Sequence, residues 1–125
     1  MIDHISIGVA DLSRAGRFYD AALMPLGYTR ISASDDAIGY GKDGTAALWV
    51  SKARRPVPAD PESGLHICFG APTRKSVQAF HRAALASGGR DNGKPGVRAD
   101  YGSGYYAAFA IDPDGYRIEA YCSQP

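Results

Sequence analysis

The sequence predicts an α+β protein built from two copies of one unit, in which a strand is followed by a helix and three further strands. The first observation is an internal repeat. Displacing the sequence by 62 residues aligns His4 with His66 and gives eight identities in 24 positions without a gap, where ordinary residue usage gives about two. The second observation is the hydrophobic pattern, which changes within each copy from alternation to three- and four-residue spacing and back. A duplicated supersecondary unit explains both.

The first copy begins with a strand over residues 2–9, because apolar and polar or small residues alternate there. His4 lies on the polar face of this strand. A helix follows from Asp11, its first turn can be capped by Asp11 or Ser13, and it ends near Pro25 and Gly27. Turn residues then separate three short strands, which span residues 28–31, 37–41 and 45–51.

Residues 52–64 contain three prolines and several charges, so they cannot continue a sheet and are interpreted as a linker. We therefore expect a single domain over residues 1–125, with module 1 at about 1–51 and module 2 at about 65–122. The second copy repeats the element order, with a strand over 65–70, a helix over 73–87, a strand near Val97, and strands over 105–111 and 116–122. Compared with the first copy it has nine extra residues within 90–104, a length typical of a loop that closes over a site.

Composition excludes several classes of function. A chain of 125 residues with 45% hydrophobic residues can form a core without disulfides, and its net charge of +1 offers no attraction to nucleic acid or an anionic membrane. Cys68 and Cys122 form no CxxC pattern and are interpreted as reduced, buried thiols. The N-terminus has neither a basic region nor a long apolar run, so we expect a cytoplasmic protein without a signal peptide.

A metal site is predicted from the faces of the strands. If each helix covers the apolar face of its sheet, His4 and His66 point to the opposite face, and pairing of the two sheets would place them opposite one another. Glu119 alternates with apolar residues in the last strand and is expected on that same face. The Asp-Gly turns of the two copies are 71 residues apart, so Leu48 becomes the counterpart of Glu119 in the first copy. Three of four equivalent positions therefore provide ligands.

Two imidazoles and one carboxylate, with other coordination positions left open, form the facial set typical of non-haem iron(II). Manganese, nickel, cobalt or zinc ions fit such a set as well, so the sequence predicts a divalent metal at His4, His66 and Glu119 without identifying it. The alternative is that the histidines are satisfied by hydrogen bonds and that Glu119 pairs with Arg117.

Aromatic residues lie near this expected cleft. Tyr101 is our first choice for a phenol that donates to a substrate oxygen, and Tyr105 and Tyr106 are further cleft candidates. Ordinary packing in strands and loops is the simpler interpretation of all three. Trp49 points away from the cleft if Leu48 points into it. With a register one residue different, Trp49 becomes a stacking wall for an aromatic substrate.

Three further polar residues receive a structural interpretation. Arg98 and Lys94 are interpreted as solvated loop charges, with attraction of an anionic substrate as the alternative. His81 lies on the second helix and is expected to be exposed.

The chain resembles the vicinal oxygen chelate superfamily, which includes glyoxalase I, extradiol dioxygenases, fosfomycin-resistance thiol transferases and metal-free bleomycin-resistance proteins. The resemblance lies in the motifs IDHISIGVADLSRAGRFYDAALMPLGY, GLHICFGAP and DPDGYRIEAY, which with the equivalent strands cover nearly the whole chain. It implies paired βαβββ modules, a curved mixed sheet forming an open barrel with helices outside, and a metal in the cleft that chelates vicinal oxygens. Carried over by position, His4, His66 and Glu119 match the family ligands.

The alternatives for the function follow from the differences between this chain and the family pattern. Glyoxalase I typically has a fourth ligand, usually glutamate, where this chain has Leu48, so a standard glyoxalase I is disfavoured. The resemblance implies a metal-dependent lyase, isomerase or dioxygenase acting on a small molecule, with Glu119 and Tyr101 as catalytic candidates. The main alternative is a metal-free binding protein of the bleomycin-resistance kind. A third is an interaction module that dimerises through a sheet edge, and family resemblance implies a homodimer in any case.

Overall fold

The computed structural model describes residues 1–57 and 60–125, in which two units follow one another along the chain. The first unit contains strand β1 (Ile5–Val9), helix α1 (Leu12–Leu23) and strands β2 (Thr29–Ala33), β3 (Ala37–Lys42) and β4 (Thr45–Lys52). The second contains β5 (Ile67–Gly70), α2 (Arg74–Ala86), β6 (Arg90–Val97), β7 (Tyr106–Ile111) and β8 (Arg117–Cys122). The predicted element order is confirmed.

Each unit forms its own four-stranded mixed sheet. The strand orders are β1-β4-β3-β2 and β5-β8-β7-β6, so the two sheets have the same topology. The first strand of each unit pairs in parallel with the last, and the remaining pairs are antiparallel. The predicted α+β class and the two βαβββ units are therefore confirmed. β1 and β5 are edge strands, each hydrogen-bonded to a neighbour on one side.

Both helices begin where a side chain caps the first turn. The Asp11 carboxylate accepts from the Arg14 amide, and the Thr73 hydroxyl accepts from the Ser76 amide, which satisfies donors that a helix start leaves free. After α1 the chain turns through Gly27, whose φ of +84° is a conformation that glycine adopts without strain. The helix predicted from Asp11 is confirmed, and the cap residue is Asp11.

Most of the long loop predicted between residues 90 and 104 is a strand, since β6 occupies Arg90–Val97. A short 3-10 turn at Ala99–Tyr101 follows it. The predicted linker includes a similar short turn at Pro61–Ser63, and residues 58 and 59 of that linker lie outside the described residues.

The helix-facing sides of the two sheets meet in one core. Leu48 and Tyr40 from the first sheet and Ile67 and Phe69 from the second belong to the same buried cluster, and the rings of Tyr28 and Phe69 lie 6.0 Å apart. We call the opposite side of each sheet its open face. Within the described residues, neither open face contributes a side chain to this shared core.

A β-bulge interrupts the pairing of β3 with β4. Gly41 pairs with Ala46 and Tyr40 with Leu48, so Ala47 is an extra residue in β4. A Cβ at Gly41 would overlap the Thr45 carbonyl, which explains the glycine beside the bulge. The equivalent hairpin of β7 and β8 pairs without interruption. The bulge therefore shifts the alignment of the two units by one residue along β4.

Neither α1 nor α2 approaches a bilayer-spanning length, and the part of the chain that the structure describes contains no helix long and apolar enough to cross a membrane.

Candidate functional site

The open face of the second sheet contains a buried carboxylate with two hydrogen-bond partners. Glu119 in β8 has a side chain that is only 3% exposed. Its Oε2 lies 3.0 Å from Nε2 of His66, and its Oε1 accepts from the Tyr105 hydroxyl at 2.6 Å. Burial of a carboxylate is expensive unless its oxygens are paired, so these two contacts hold Glu119 in place.

Tyr105 is a neutral hydrogen-bond donor in this cluster. Desolvation by burial, followed by the hydrogen bond to Glu119 and the charge of that carboxylate, raises the pKa of Tyr105. The phenol therefore keeps its proton at neutral pH and directs it toward Glu119. Tyr101, our first choice from the sequence, is 66% exposed. The centres of the Tyr101 and Tyr105 rings lie 5.3 Å apart in an edge-to-face arrangement.

Cys68 is the residue that the sequence interpretation missed in this cluster. It pairs with Glu119 in the parallel ladder of β5 and β8, on the same face as His66. It is exposed and not buried as predicted, while Cys122 is buried as expected. Desolvation of the thiol, and then the charge of Glu119, raises the pKa of Cys68 to about 12. The thiol is therefore protonated at neutral pH and is a poor nucleophile. Its sequence signal was the two-residue spacing from His66.

Aromatic rings surround the cluster. The rings of Tyr105 and Tyr121 are stacked 4.0 Å apart. Phe109 pairs with Glu119 across β7 and β8, and its ring lies 6.5 Å from the His66 imidazole. Alternation along β7 and β8 could have placed Phe109 and Tyr121 on this face. The open face of the second sheet is therefore a polar centre bordered by aromatic surfaces.

His4 lies apart from this cluster. Its Nδ1 is 2.6 Å from the Asp3 carboxylate, just before β1. It lines a cavity of about 180 Å³ near the edges of β1 and β5, together with Leu48 and Cys68. In the described residues, no three His, Cys, Asp or Glu side chains come close enough to hold a metal ion. Within the described part of one chain, His4 therefore joins no metal-binding group with His66 and Glu119, and the expectation that the two histidines share a site stays a prediction.

Trp49, and not Leu48, is the counterpart of Glu119. In the ladder of β1 and β4, Ser6 pairs with Trp49, just as Cys68 pairs with Glu119 in the second unit. Leu48 is 2% exposed and belongs to the core on the helix-facing side. The offset between the two Asp-Gly turns was used to find the counterpart of Glu119. Because Ala47 is an extra residue in β4, that offset is one residue too long for β4, and it gave Leu48 in place of Trp49. The alternative register, with Trp49 on the open face, is the one observed.

The Trp49 indole lies against the backbone of β3. A Cβ added at Gly39 would lie 2.9 Å from two ring carbons, so the indole covers the space that a side chain at this position would occupy. Trp49 is partly exposed. It therefore offers a flat aromatic surface on the open face of the first sheet.

Two other predicted placements are wrong. Tyr106 was expected in the cleft, but its hydroxyl accepts from Nε2 of Gln78 on α2, so its ring lies on the helix-facing side of β7. His81 was expected to be exposed, but it is 8% exposed and its Nε2 donates to Asp91 at 2.8 Å. Tyr106 and Phe109 differ by an odd number of positions, which places them on opposite faces of the strand.

The donor atoms of His66 and Glu119 are spaced as two ligands of one metal ion would be. An imidazole nitrogen and a carboxylate oxygen bound to one ion at about 2.0 to 2.2 Å, on neighbouring coordination positions, stand about 3 Å apart. The observed separation is 3.0 Å. These two donors would provide two of the ligands of a metal site. A complete site would need at least one more donor from outside this face.

The sequence is similar to one known protein family. The sequence model of the Glyoxalase/Bleomycin resistance protein/Dioxygenase superfamily matches residues 1–120. The uncharacterised protein YqjT of Bacillus subtilis (strain 168) is 30% identical over 122 residues, which cover 93% of this chain and 94% of the relative.

Solved structures of similar proteins have the same fold as this chain. A glyoxalase/bleomycin resistance protein from Albidiferax ferrireducens T118 has a TM-score of 0.81 and 29% identity, with 95% of each chain covered. A mutant of glyoxalase I from Zea mays has a TM-score of 0.68 and 20% identity, over 96% of this chain and 45% of the maize chain. At that identity the likeness to the maize protein concerns the fold alone.

Proposed function

This chain belongs to the Glyoxalase/Bleomycin resistance protein/Dioxygenase superfamily, and from that membership we propose that it is a metal-dependent enzyme acting on a small molecule with vicinal oxygens. The observation that supports this most is the pair of His66 and Glu119, whose donor atoms have the separation of two ligands on one ion. When bound, a divalent ion would polarise the substrate oxygens as a Lewis acid. A lyase or isomerase reaction and a dioxygenase reaction both suit such a site.

We propose that a second copy of the chain completes the site with its His4. Neither open face contributes to the core that the two sheets share, and His4 joins no metal-binding group within the described residues of one chain, so the proposed cleft forms between two chains. The edge strands β1 and β5 each leave one side without a strand neighbour. Ile2, Ile5 and Leu65, which lie on or just before these strands, are exposed by 76%, 36% and 59%. A homodimer would cover these apolar groups and place Trp49 of one chain near Glu119 of the other.

The residues of this chain have distinct roles in the proposal. Glu119 is a ligand whose second oxygen is held by Tyr105, and the neutral phenol of Tyr105 is placed to donate to a substrate oxygen. Trp49 lies at the position where glyoxalase I typically has its fourth ligand, and it provides no ligand. A standard glyoxalase I reaction is therefore disfavoured, as it was when the sequence assigned this position to Leu48.

Metal content of protein purified without chelator tests the metal site. We expect a bound divalent ion in the wild type, and its loss in His66→Ala and in His4→Ala. Cys122→Ser is a matched control, because Cys122 is buried on the helix-facing side. Wild-type protein that takes up no iron, manganese, nickel, cobalt or zinc, even after incubation with each ion, would contradict the metal site.

Mixing the two variants tests whether the site is shared. If His4 comes from one chain and His66 and Glu119 from the other, denatured and refolded mixtures of His4→Ala and His66→Ala form mixed dimers with one intact site. About a quarter of the wild-type metal content should return, because half of the dimers are mixed. A site within one chain predicts no recovery.

The second candidate function is metal-free ligand binding. The observation in its favour is that both oxygens of Glu119 already have partners within the chain, so the cluster is satisfied without an ion. In that case the aromatic surfaces at Trp49 and Tyr121 would hold the ligand. Ligand binding that is unchanged in EDTA and in His66→Ala would favour this function over the first.

A further inference from the structure

Arg98 lies against Phe109 on the open face of the second sheet. Its Nη2 donates to the Lys94 carbonyl at 2.6 Å, and its guanidinium lies 5.4 Å from the centre of the Phe109 ring. Two glycines of β6 leave space for it: a Cβ at Gly93 or at Gly96 would lie 3.3 Å and 3.1 Å from the guanidinium nitrogens. The arrangement therefore fixes the direction of a side chain that is normally free to move.

The charge of Arg98 is not neutralised within the described residues. Each ion pair found there involves other groups, and no carboxylate lies within 4.0 Å of this guanidinium. A guanidinium has five N–H donors, and the contact with Lys94 uses one nitrogen. Arg98 is partly exposed, so its remaining donors can reach a ligand.

Phe109 connects Arg98 with the polar cluster. Its ring centre lies 5.4 Å from the guanidinium and 6.5 Å from the imidazole of His66, so these two groups are no more than about 12 Å apart. A small molecule that lies against the Phe109 ring is therefore close to both Arg98 and the cluster of His66 and Glu119.

We propose that Arg98 is an anion-binding residue of this site and selects a small aromatic molecule that carries a carboxylate. The planar fork of Arg98 matches the two oxygens of a carboxylate, while Phe109 and the stacked pair of Tyr105 and Tyr121 provide surfaces for a ring. A single guanidinium neutralises a monoanion, which favours a carboxylate over a doubly charged phosphate. The inference rests on the proposed function only in placing the ligand's other end at His66 and Glu119.

Benzoate and benzamide test this assignment, because they have the same shape and differ in charge. We expect calorimetry on the full-length protein to show benzoate binding about tenfold or more tightly than benzamide, since a hydrogen bond to a charged group is worth about 1.5 kcal/mol or more. Arg98→Gln should remove the difference by weakening benzoate alone. Arg98→Lys should give an intermediate value, because it keeps the charge and loses the fork.

Arg82→Gln is the matched control, since Arg82 is an exposed arginine on α2, and it should leave both affinities unchanged. Equal affinities for the two probes, or absence of benzoate binding, would overturn the assignment. So would an Arg98→Gln variant whose mass by light scattering differs from the wild type, because Arg98 would then pair with a carboxylate of a second copy.

3,4-Dihydroxybenzoate separates this inference from the proposed function. If the two hydroxyls strengthen binding only in metal-loaded protein with His66 and Glu119 intact, both proposals are supported. If the preference for a carboxylate depends on Arg98 while the hydroxyls add nothing, the anion site stands and the metal-dependent function fails. If the hydroxyls contribute and the carboxylate does not, the metal site stands and the assignment of Arg98 fails.

Discussion

A single carboxylate organises the polar centre of the second sheet. Glu119 is almost fully buried, and its two oxygens are bound by two different residues, His66 and Tyr105. Removal of either partner leaves a buried oxygen without a hydrogen bond, which costs more than the bond itself contributes. The geometry of the centre therefore depends on both contacts.

Tyr105→Phe tests the second of these contacts. We expect the free energy of unfolding in chelator-treated protein to fall by about 1 to 2 kcal/mol, because Glu119 Oε1 loses its donor in a partly buried place. Urea denaturation gives the value. Tyr121→Phe is the control: its ring stacks on Tyr105, and its hydroxyl makes no hydrogen bond within the described residues. An equal effect of both substitutions would mean that packing, and not the hydrogen bond, holds Glu119.

Trp49 is the only tryptophan, so its fluorescence reports on the open face of the first sheet. In Gly39→Ala the new methyl would lie 2.9 Å from ring carbons of the indole and must displace it from the strand. We expect a red-shifted emission and stronger quenching by acrylamide. Gly70→Ala is the matched control, since a Cβ there meets nothing within 4 Å. An unchanged spectrum in Gly39→Ala would contradict the observed contact.

At the scale of elements, contacts between side chains join helices to strands. The ring of His81 on α2 donates to Asp91 at the start of β6, and the amide of Gly93 donates to the same carboxylate at 2.9 Å. The Gly93 hydrogen bond, and then that of His81, lowers the pKa of Asp91. Folding therefore favours the ionised form of Asp91 over the protonated form.

The pKa of Asp91 predicts how stability depends on pH. A carboxyl group whose folded pKa lies below its ordinary value of 3.8 contributes stability above that pH and loses it as the pH falls through the folded value. Asp91→Asn should therefore be less stable than wild type at pH 6, and the difference should shrink below about pH 4. Urea denaturation between pH 3 and 6 measures it, with Asp100→Asn as an exposed control. A difference that is independent of pH would contradict the prediction.

Periodicity predicted the elements well and the register less well. The 62-residue repeat and the helical spacing after Asp11 reflect interactions between residues near in sequence, which a single chain displays directly. The bulge at Ala47 depends on how β3 and β4 pair, and no local pattern marks it. Leu48 was misassigned for that reason, whereas Glu119, in a hairpin without a bulge, was placed on the correct face. His66 and Glu119 were identified together, while Cys68 and Phe109 were missed although alternation along β5 and β7 places them on the same face.

At the scale of the whole molecule, the loop between β7 and β8 joins the two units. The Tyr116 hydroxyl donates to the carbonyl of Gly8 at 2.7 Å, and Arg14 of α1 contacts Asp114 at 3.0 Å. The Tyr19 hydroxyl donates to the buried Asp112, whose pKa is raised by burial. These contacts tie β1 and α1 of the first unit to the loop between β7 and β8 of the second.

Tyr116→Phe removes one contact between the units. Tyr116 is 7% exposed and Gly8 is partly buried, so we expect a loss of about 1 kcal/mol. Trp49 fluorescence reports the first unit and far-UV circular dichroism reports both. Because the units share a core, the two transitions should still coincide. Tyr101→Phe, at an exposed ring, is the control, and separate transitions in the wild type would contradict a shared core.

The extra residue in β4 has a consequence for protein engineering. A designer who wishes to give the first unit a carboxylate equivalent to Glu119 has two neighbouring positions to choose from. Leu48→Glu would bury an unpaired charge in the hydrophobic core, a change expected to cost several kcal/mol and to prevent folding. Trp49→Glu would place the same group on the open face beside Ser6, where water and other polar groups can reach it. One inserted alanine decides which substitution disrupts the core and which gives both units a carboxylate at the equivalent position.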